Sequence, residues 1–216
     1  MKHAKSRKAV TALYQELARV GLILGSSGNV SLRTPDGMVI TPSGGSPGTV
    51  QPSDIAAIGM DGGGGGRATP SSEWPMHAAV YQGAPEAGCV IHTHADAATA
   101  LACLHQDLPA FHYMVLQFGG NTVPCAPYVT FGTPELARLA GETIAGHSAC
   151  LLANHGMIVH GRDADQALDR ALLLESLCRQ YLMARAAGTP RLLTDDEMAA
   201  ARDRFRTYGP RRPDRD

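Results

Sequence analysis

Lysine is nearly missing from this chain. Lys2, Lys5 and Lys8 are its only three, all at the start of 216 residues. Covalent catalysis through a lysine Schiff base is therefore disfavoured. An excess of either charge is also missing: 19 basic residues face 20 acidic ones. That balance gives no electrostatic case for nucleic acid or an anionic membrane as a partner. No uninterrupted apolar run approaches membrane-spanning length. The basic opening Met1–Lys8 is not followed by a signal-peptide core, because Gln15, Glu16 and Arg19 break the pattern. Cys-x-x-Cys is absent, and the five cysteines (Cys89, Cys103, Cys125, Cys150, Cys178) are odd in number. Four lie in or beside apolar stretches, as expected of reduced, mostly buried thiols in a cytoplasmic protein. There is no internal repeat. The length suits one domain over 1–216 with a substantial core.

Apolar periodicity predicts a helix over 6–20, with Val10, Leu13, Leu17 and Val20 on one face. Val30–Arg33 and Met38–Thr41 read as strands joined by the hairpin turn Thr34-Pro35-Asp36-Gly37. A short strand is expected within 53–59 and a helix over 72–82, opened by Ser71 or Ser72 with Pro75 in its first turn. Strand 88–94, a helix near 96–104, an extended stretch 123–129 and a helix from Thr133 to about 145 follow. Residues 149–153 read as a strand leading into Asn154-His155-Gly156, with Met157–Val159 extending it. A long helix spans 163–187, and the Arg- and Pro-rich tail is expected to be loosely held. The five-glycine run Gly62–Gly66 lacks a following Lys-Ser/Thr, so it reads as a turn tip rather than a phosphate loop. Early hairpins and interleaved helices point to an α/β fold: three αβα layers around a mostly antiparallel central sheet.

His92-Thr93-His94 closes the apolar run Gly88–Ile91. Side chains two apart on a strand share a face, so two imidazoles so placed can grip one metal ion. His155 follows another apolar run, Cys150–Ala153, and Glu73 lies upstream in Ser71-Ser72-Glu73-Trp74. Three histidines with an open coordination position suit a catalytic zinc, and a nearby carboxylate suits metal-assisted proton transfer. Two buried, hydrogen-bonded core histidines are the alternative for an isolated His-x-His. His77, His105, His112, His147 and His160 read as surface or hydrogen-bonded histidines.

A series of segments resembles the class II aldolase/adducin family, most closely its L-fuculose-phosphate aldolases. They are Gly28-Asn29-Val30-Ser31-Leu32-Arg33, Ile40-Thr41-Pro42-Ser43-Gly44, Pro70-Ser71-Ser72-Glu73-Trp74, His92-Thr93-His94, His112-Tyr113-Met114 and Gly119-Gly120-Asn121. Cys125-Ala126-Pro127-Tyr128, Phe131-Gly132-Thr133, Asn154-His155-Gly156 and Phe205-Arg206-Thr207-Tyr208-Gly209 complete the series. The likeness runs in order over nearly the whole chain.

The resemblance implies one zinc per subunit on His92, His94 and His155, with Glu73 beside it as the acid/base at C3 of the substrate. It implies a ketose 1-phosphate, such as L-fuculose, 5-deoxyribulose or 5-methylthioribulose 1-phosphate, cleaved reversibly to dihydroxyacetone phosphate and an aldehyde. Phosphate would be held by Gly28, Asn29, Ser43, Gly44, Ser71 and Ser72, since glycine turns and helix N-termini bind anions. Tyr113 would act at the C4 oxygen from a neighbouring subunit of a homotetramer, and Tyr208 would lie on a segment covering the site. Alternatives are a pentulose 5-phosphate 4-epimerase, a sugar-phosphate decarboxylase or dehydratase, and an adducin-head-like interaction module. Two departures bear on the sugar. Gly45–Val50 replaces the Pro-Tyr-Glu-Lys-Leu-like stretch of fuculose-type enzymes, and the loop at 62–66 is unusually glycine-rich.

Overall fold

The computed structural model describes residues 2–64 and 68–207. Gly65, Gly66, Tyr208 and Gly209 lie outside them. The elements in order are α1 (Ala4–Arg19), β1 (Asn29–Thr34), β2 (Gly37–Ile40), β3 (Ala56–Ile58), α2 (Trp74–Gly83) and β4 (Cys89–Thr93). Then come α3 (Asp96–Ala102), a 3-10 turn (Tyr113–Phe118), β5 (Cys125–Ala126), α4 (Pro134–Thr143), β6 (Ala149–Leu152), β7 (Gly156–Gly161), α5 (Ala164–Ala187) and α6 (Asp195–Phe205). The strands form one seven-stranded sheet in the order β3-β2-β1-β4-β7-β6-β5. Every pairing is antiparallel except β5 with β6.

Alternate residues of each strand feed two separate cores. Val30, Val39, Ile91, Leu151 and Val159 pack with α1, α3 and α5 on one face. Met38, Ile40, Val90, Cys150, Leu152 and Ile158 pack with α2 and α4 on the other. With helices on both faces, β4, β6 and β7 are buried at every position. This is why they read as continuous apolar runs rather than alternating ones. The result is the expected three-layer arrangement.

One chain reversal departs from the sequence reading. Residues 149–159 are not a single extended run. Leu152 pairs with Gly156, so β6 and β7 form a hairpin whose loop is Ala153-Asn154-His155. Asn154 takes φ 52°, a left-handed turn that asparagine tolerates better than most residues. The reversal puts His155 at the tip of a tight turn. Helix α2 also starts differently, for its N-cap is Glu73 rather than Ser71 or Ser72. Helix α6, which the sequence reading does not anticipate, opens on a reciprocal capping box of Thr194 and Glu197, and most of the Arg- and Pro-rich tail, residues 208–216, lies outside the described residues. Only Met198 of α6 is buried, so apolar periodicity could not announce it. Gly62–Gly64 form a turn, closed by Gly59 N–H donating to Gly63 O at 2.7 Å.

Helix α3 begins two residues after His94 and has no local side-chain cap. Glu175 of α5 replaces one. Its buried carboxylate accepts from Ala97 N–H at 3.0 and 3.1 Å and from Ala98 N–H at 2.9 Å, and Arg179 donates to it at 2.9 Å. Glu175→Ala would orphan those amides, and burying unpaired donors costs about 1–3 kcal/mol. A urea denaturation series should show that loss. An unchanged midpoint would mean that α3 needs no cap from α5.

Candidate metal centre

The centre lies at the strand ends on the α2 side of the sheet. His92 is the fourth residue of β4, on the same face as Val90, and pairs with Asn29 of β1 and Ile158 of β7. His94 leaves the strand just beyond it. His155 enters from the β6–β7 turn, and Glu73 from the N-cap of α2. Two glycines allow these backbones to approach. A Cβ on Gly28 would stand 2.7 Å from His92 O, and Gly28 takes φ +85°. A Cβ on Gly156 would stand 2.4 Å from Thr93 O and 3.1 Å from the His94 ring.

The three imidazoles converge, with candidate ligand nitrogens all within 4.8 Å of one another. His92 Nε2 is 3.1 Å from His94 Nε2 and 3.2 Å from Glu73 Oε2, and His155 Nε2 is 3.3 Å from Glu73 Oε1. His92 Nδ1–H donates to Met157 O at 2.9 Å, which leaves the Nε2 lone pair facing the cluster. Burial and the neighbouring His92 and His155 hold His94 down at about 4, so it is neutral and able to ligate near pH 7. Glu73 Oε1 is buried without a hydrogen-bond partner. Three converging imidazoles beside a buried carboxylate oxygen that makes no hydrogen bond of good geometry form a donor set that fits one divalent cation, and three histidines with a carboxylate suit zinc.

Burial alone would raise the Glu73 carboxyl, but His155 and His92 beside it and the Asn29 amide hold it well below the usual carboxylate range. Asn29 Nδ2–H donates to Glu73 Oε2 at 2.9 Å. Behind Asn29 lies His77, fully buried and held down at about 3 chiefly by that burial. Sequence reading took it for one of several ordinary histidines. In the metal-free protein its neutrality makes stability pH-dependent. The unfolded chain takes up this proton below about 6.5, whereas the folded chain refuses it until about 3. The contribution is complete above pH 6.5 and is lost on acidification, at up to about 1.4 kcal/mol per pH unit. Unfolding midpoints measured from pH 7 to 4 should fall more steeply for the wild type than for His77→Gln. Parallel curves would contradict a neutral buried His77.

A cleft of about 390 Å³ opens over the centre. It brings together Gly28, Asn29, Ser43, Gly44, Ser71, Ser72, Glu73, His94 and His155. Ser43 N–H donates to Thr69 O and Ser71 N–H to Thr41 O, each at 3.0 Å. These two residues therefore offer hydroxyls to the cleft, not backbone amides. Sequence reasoning missed Ser26, Ser27 and Asn154 in the lining, and the rim of Tyr128, Val129 and Phe131. Tyr128 and Phe131 are exposed large apolar residues, a signal visible only once burial is known. Tyr113 is not in this cleft. It lies half-exposed on the 3-10 turn, stacked on His112 at 4.7 Å and facing a groove beside Phe205.

Residues 8–182 match the family model described as the class II aldolase and adducin N-terminal domain. A relative named 5-methylthioribulose-1-phosphate/5-deoxyribulose-1-phosphate aldolase, from Rhodospirillum rubrum, is 43% identical over 90% of this chain and 88% of its own. The L-fuculose phosphate aldolase of Escherichia coli K12 is 40% identical over 97% of this chain and 98% of its own. A solved structure titled L-fuculose 1-phosphate aldolase superposes with a TM-score of 0.90 at 34% identity, covering 95% of this chain and 98% of that one. Matches that span almost the full length of both partners leave little of either chain outside the shared fold, and this chain belongs to the class II aldolase and adducin family.

Proposed function

We propose that this chain is a zinc-dependent aldolase that reversibly cleaves a deoxy-ketose 1-phosphate to dihydroxyacetone phosphate and an aldehyde. The observation that carries the reading is the meeting, in one cleft, of three convergent histidines, a buried carboxylate and a ring of serine hydroxyls and glycine turns. His92, His94 and His155 would hold the ion. When bound, it supplies Lewis-acid stabilisation for the negative charge that develops on the three-carbon fragment.

The remaining work falls to the chain's own residues. As C3–C4 breaks, the bonding pair stays on the three-carbon side and the C4 hydroxyl gives up its proton to Tyr113 of the neighbouring subunit to become the aldehyde. Glu73, ionised at rest, takes up one proton from solvent and delivers it to C3, and it removes that proton in the synthetic direction. Its Oε2 is engaged by Asn29, whereas Oε1 has no hydrogen bond, so Oε1 is the oxygen free to carry the proton. The hydroxyls of Ser43, Ser71 and Ser72, with the Gly28 and Gly44 turns, hold the phosphate. Tyr113, outside this chain's own cleft, serves the C4 oxygen of a neighbouring subunit in a homotetramer. The protein works in the cytoplasm, in keeping with five free thiols.

The relatives' names divide between fuculose and deoxy- or methylthioribulose phosphates. The apolar rim of Tyr128, Val129 and Phe131 suits a terminal methyl or thiomethyl, a difference that apolar pockets discriminate weakly. Phosphate-binding loops beside the metal centre favour a substrate with its phosphate on C1. Moving it to C5 would pull either the anion from the loops or the carbonyl from the centre, and misorientation of this kind can cost about 10²-fold. The test is kcat/KM for 5-deoxyribulose 1-phosphate, L-fuculose 1-phosphate and L-ribulose 5-phosphate under one set of conditions. The 1-phosphates should be preferred, with aldehyde released. Preference for the 5-phosphate, with inversion at C4 and no aldehyde, would make the protein an epimerase.

A further inference from the structure

Behind the carboxylate, away from the cleft, a line of polar side chains runs into the α2 side of the core. Tyr81 Oη lies 2.8 Å from Ser31 Oγ, and Ser31 Oγ lies 2.7 Å from His77 Nδ1. His77 Nε2 lies 2.6 Å from Asn29 Oδ1, and Asn29 Nδ2 lies 2.9 Å from Glu73 Oε2. All five residues are buried. Two elements supply them in register. Asn29 and Ser31 are alternate residues on one face of β1, and Glu73, His77 and Tyr81 recur every fourth residue along one stripe of α2.

With His77 neutral, one proton arrangement satisfies every link. Asn29 turns its NH₂ toward Glu73 Oε2 and its carbonyl toward His77 Nε2. That carbonyl needs a donor, which places the His77 proton on Nε2. Neutral His77 then has a bare Nδ1, which accepts from the Ser31 hydroxyl. The Ser31 oxygen in turn accepts from Tyr81, whose phenol burial keeps protonated. Breaking any link frees the one above it. With Ser31 unable to donate, His77 can shift its proton to Nδ1. Asn29 Oδ1 would then face a lone pair, and a flip of the amide would point its oxygen at Glu73.

We propose that Ser31, His77 and Tyr81 are positioning residues that lock the Asn29 amide, and through it the Glu73 carboxylate, in the orientation used for proton transfer. The inference rests on Glu73 being the proton-transfer group. None of the three touches the cleft, so their loss should act on turnover rather than on substrate binding.

The test pairs a tautomer measurement with kinetics. ¹⁵N NMR of histidine-labelled, zinc-loaded wild type should show His77 as the Nε2–H tautomer. In Ser31→Ala the His77 signals should move toward Nδ1–H, with zinc content unchanged. The same variant should lose about 10–100-fold in kcat, the range typical of outer hydrogen-bond partners, with KM near the wild-type value. Tyr81→Phe, which removes only one oxygen, should shift both readouts in the same direction by less, and it serves if Ser31→Ala does not fold. A wild-type His77 that is Nδ1–H or cationic at neutral pH would overturn the chain. So would wild-type kcat in the variants, or a loss of kcat with the tautomer unmoved. If no ketose 1-phosphate is cleaved, the functional reading fails by itself, and the His77 tautomers of wild type and variants still decide the hydrogen-bond chain.

Discussion

Glu73→Gln should lower turnover by about 10²–10⁴-fold, the usual contribution of a positioned general acid–base. Fold and metal content should stay intact. The side chain is buried, and glutamine is nearly isosteric. The amide can still accept from Asn29 Nδ2–H through its carbonyl oxygen, so the hydrogen bond to Oε2 has a replacement. What disappears is the ability of Oε1, the oxygen without a hydrogen bond in the native arrangement, to take up and release a proton. The loss should therefore fall on kcat. A Glu73→Gln enzyme with kcat within a few-fold of the wild type and full metal occupancy would remove Glu73 from the reaction.

His94→Ala should be equally damaging by another route. It deletes one of three converging nitrogens and opens the rim of the cleft, because His94 is the most exposed of the three. Losing an outer hydrogen-bond partner of a metal site costs roughly 10–100-fold in affinity or activity, and a direct ligand should cost more. Stability should change little, since the side chain supports no core packing. Metal analysis after dialysis should find the variant depleted where the wild type retains about one ion per chain. Full occupancy together with normal activity in His94→Ala would take the histidine cluster out of the mechanism.

Parts of this site were legible because local chemistry signals them. The strand period alone pairs His92 with His94, although β4 ends at Thr93 and His94 lies just beyond it, and the glycines that flank the site residues mark turns. The β6–β7 hairpin was misread for a physical reason. Apolar residues on both sides of Asn154-His155 look like one buried run when both sheet faces are covered, and the reversal rests on one left-handed asparagine. The line from Tyr81 to Glu73 was in plain view as spacings of two and four. Its meaning depends on β1 and α2 meeting, which no local pattern reports. Glu175 is a similar case, a long helix's charged residue turned inward to cap another helix. Tyr113 lies outside the chain's own cleft, so the role proposed for it depends on a neighbouring subunit, which no pattern within one chain reports.

The most direct test is solvent exchange into dihydroxyacetone phosphate, the half-reaction shared by cleavage and synthesis. Zinc-loaded protein in D₂O should replace one of the two C3 hydrogens with deuterium, stereospecifically, because a single carboxylate addresses one face of the carbon. Chelation, His94→Ala and Glu73→Gln should each abolish the exchange. A fully metal-loaded wild type that leaves both C3 hydrogens in place, or a Glu73→Gln protein that exchanges at the wild-type rate, would contradict the account.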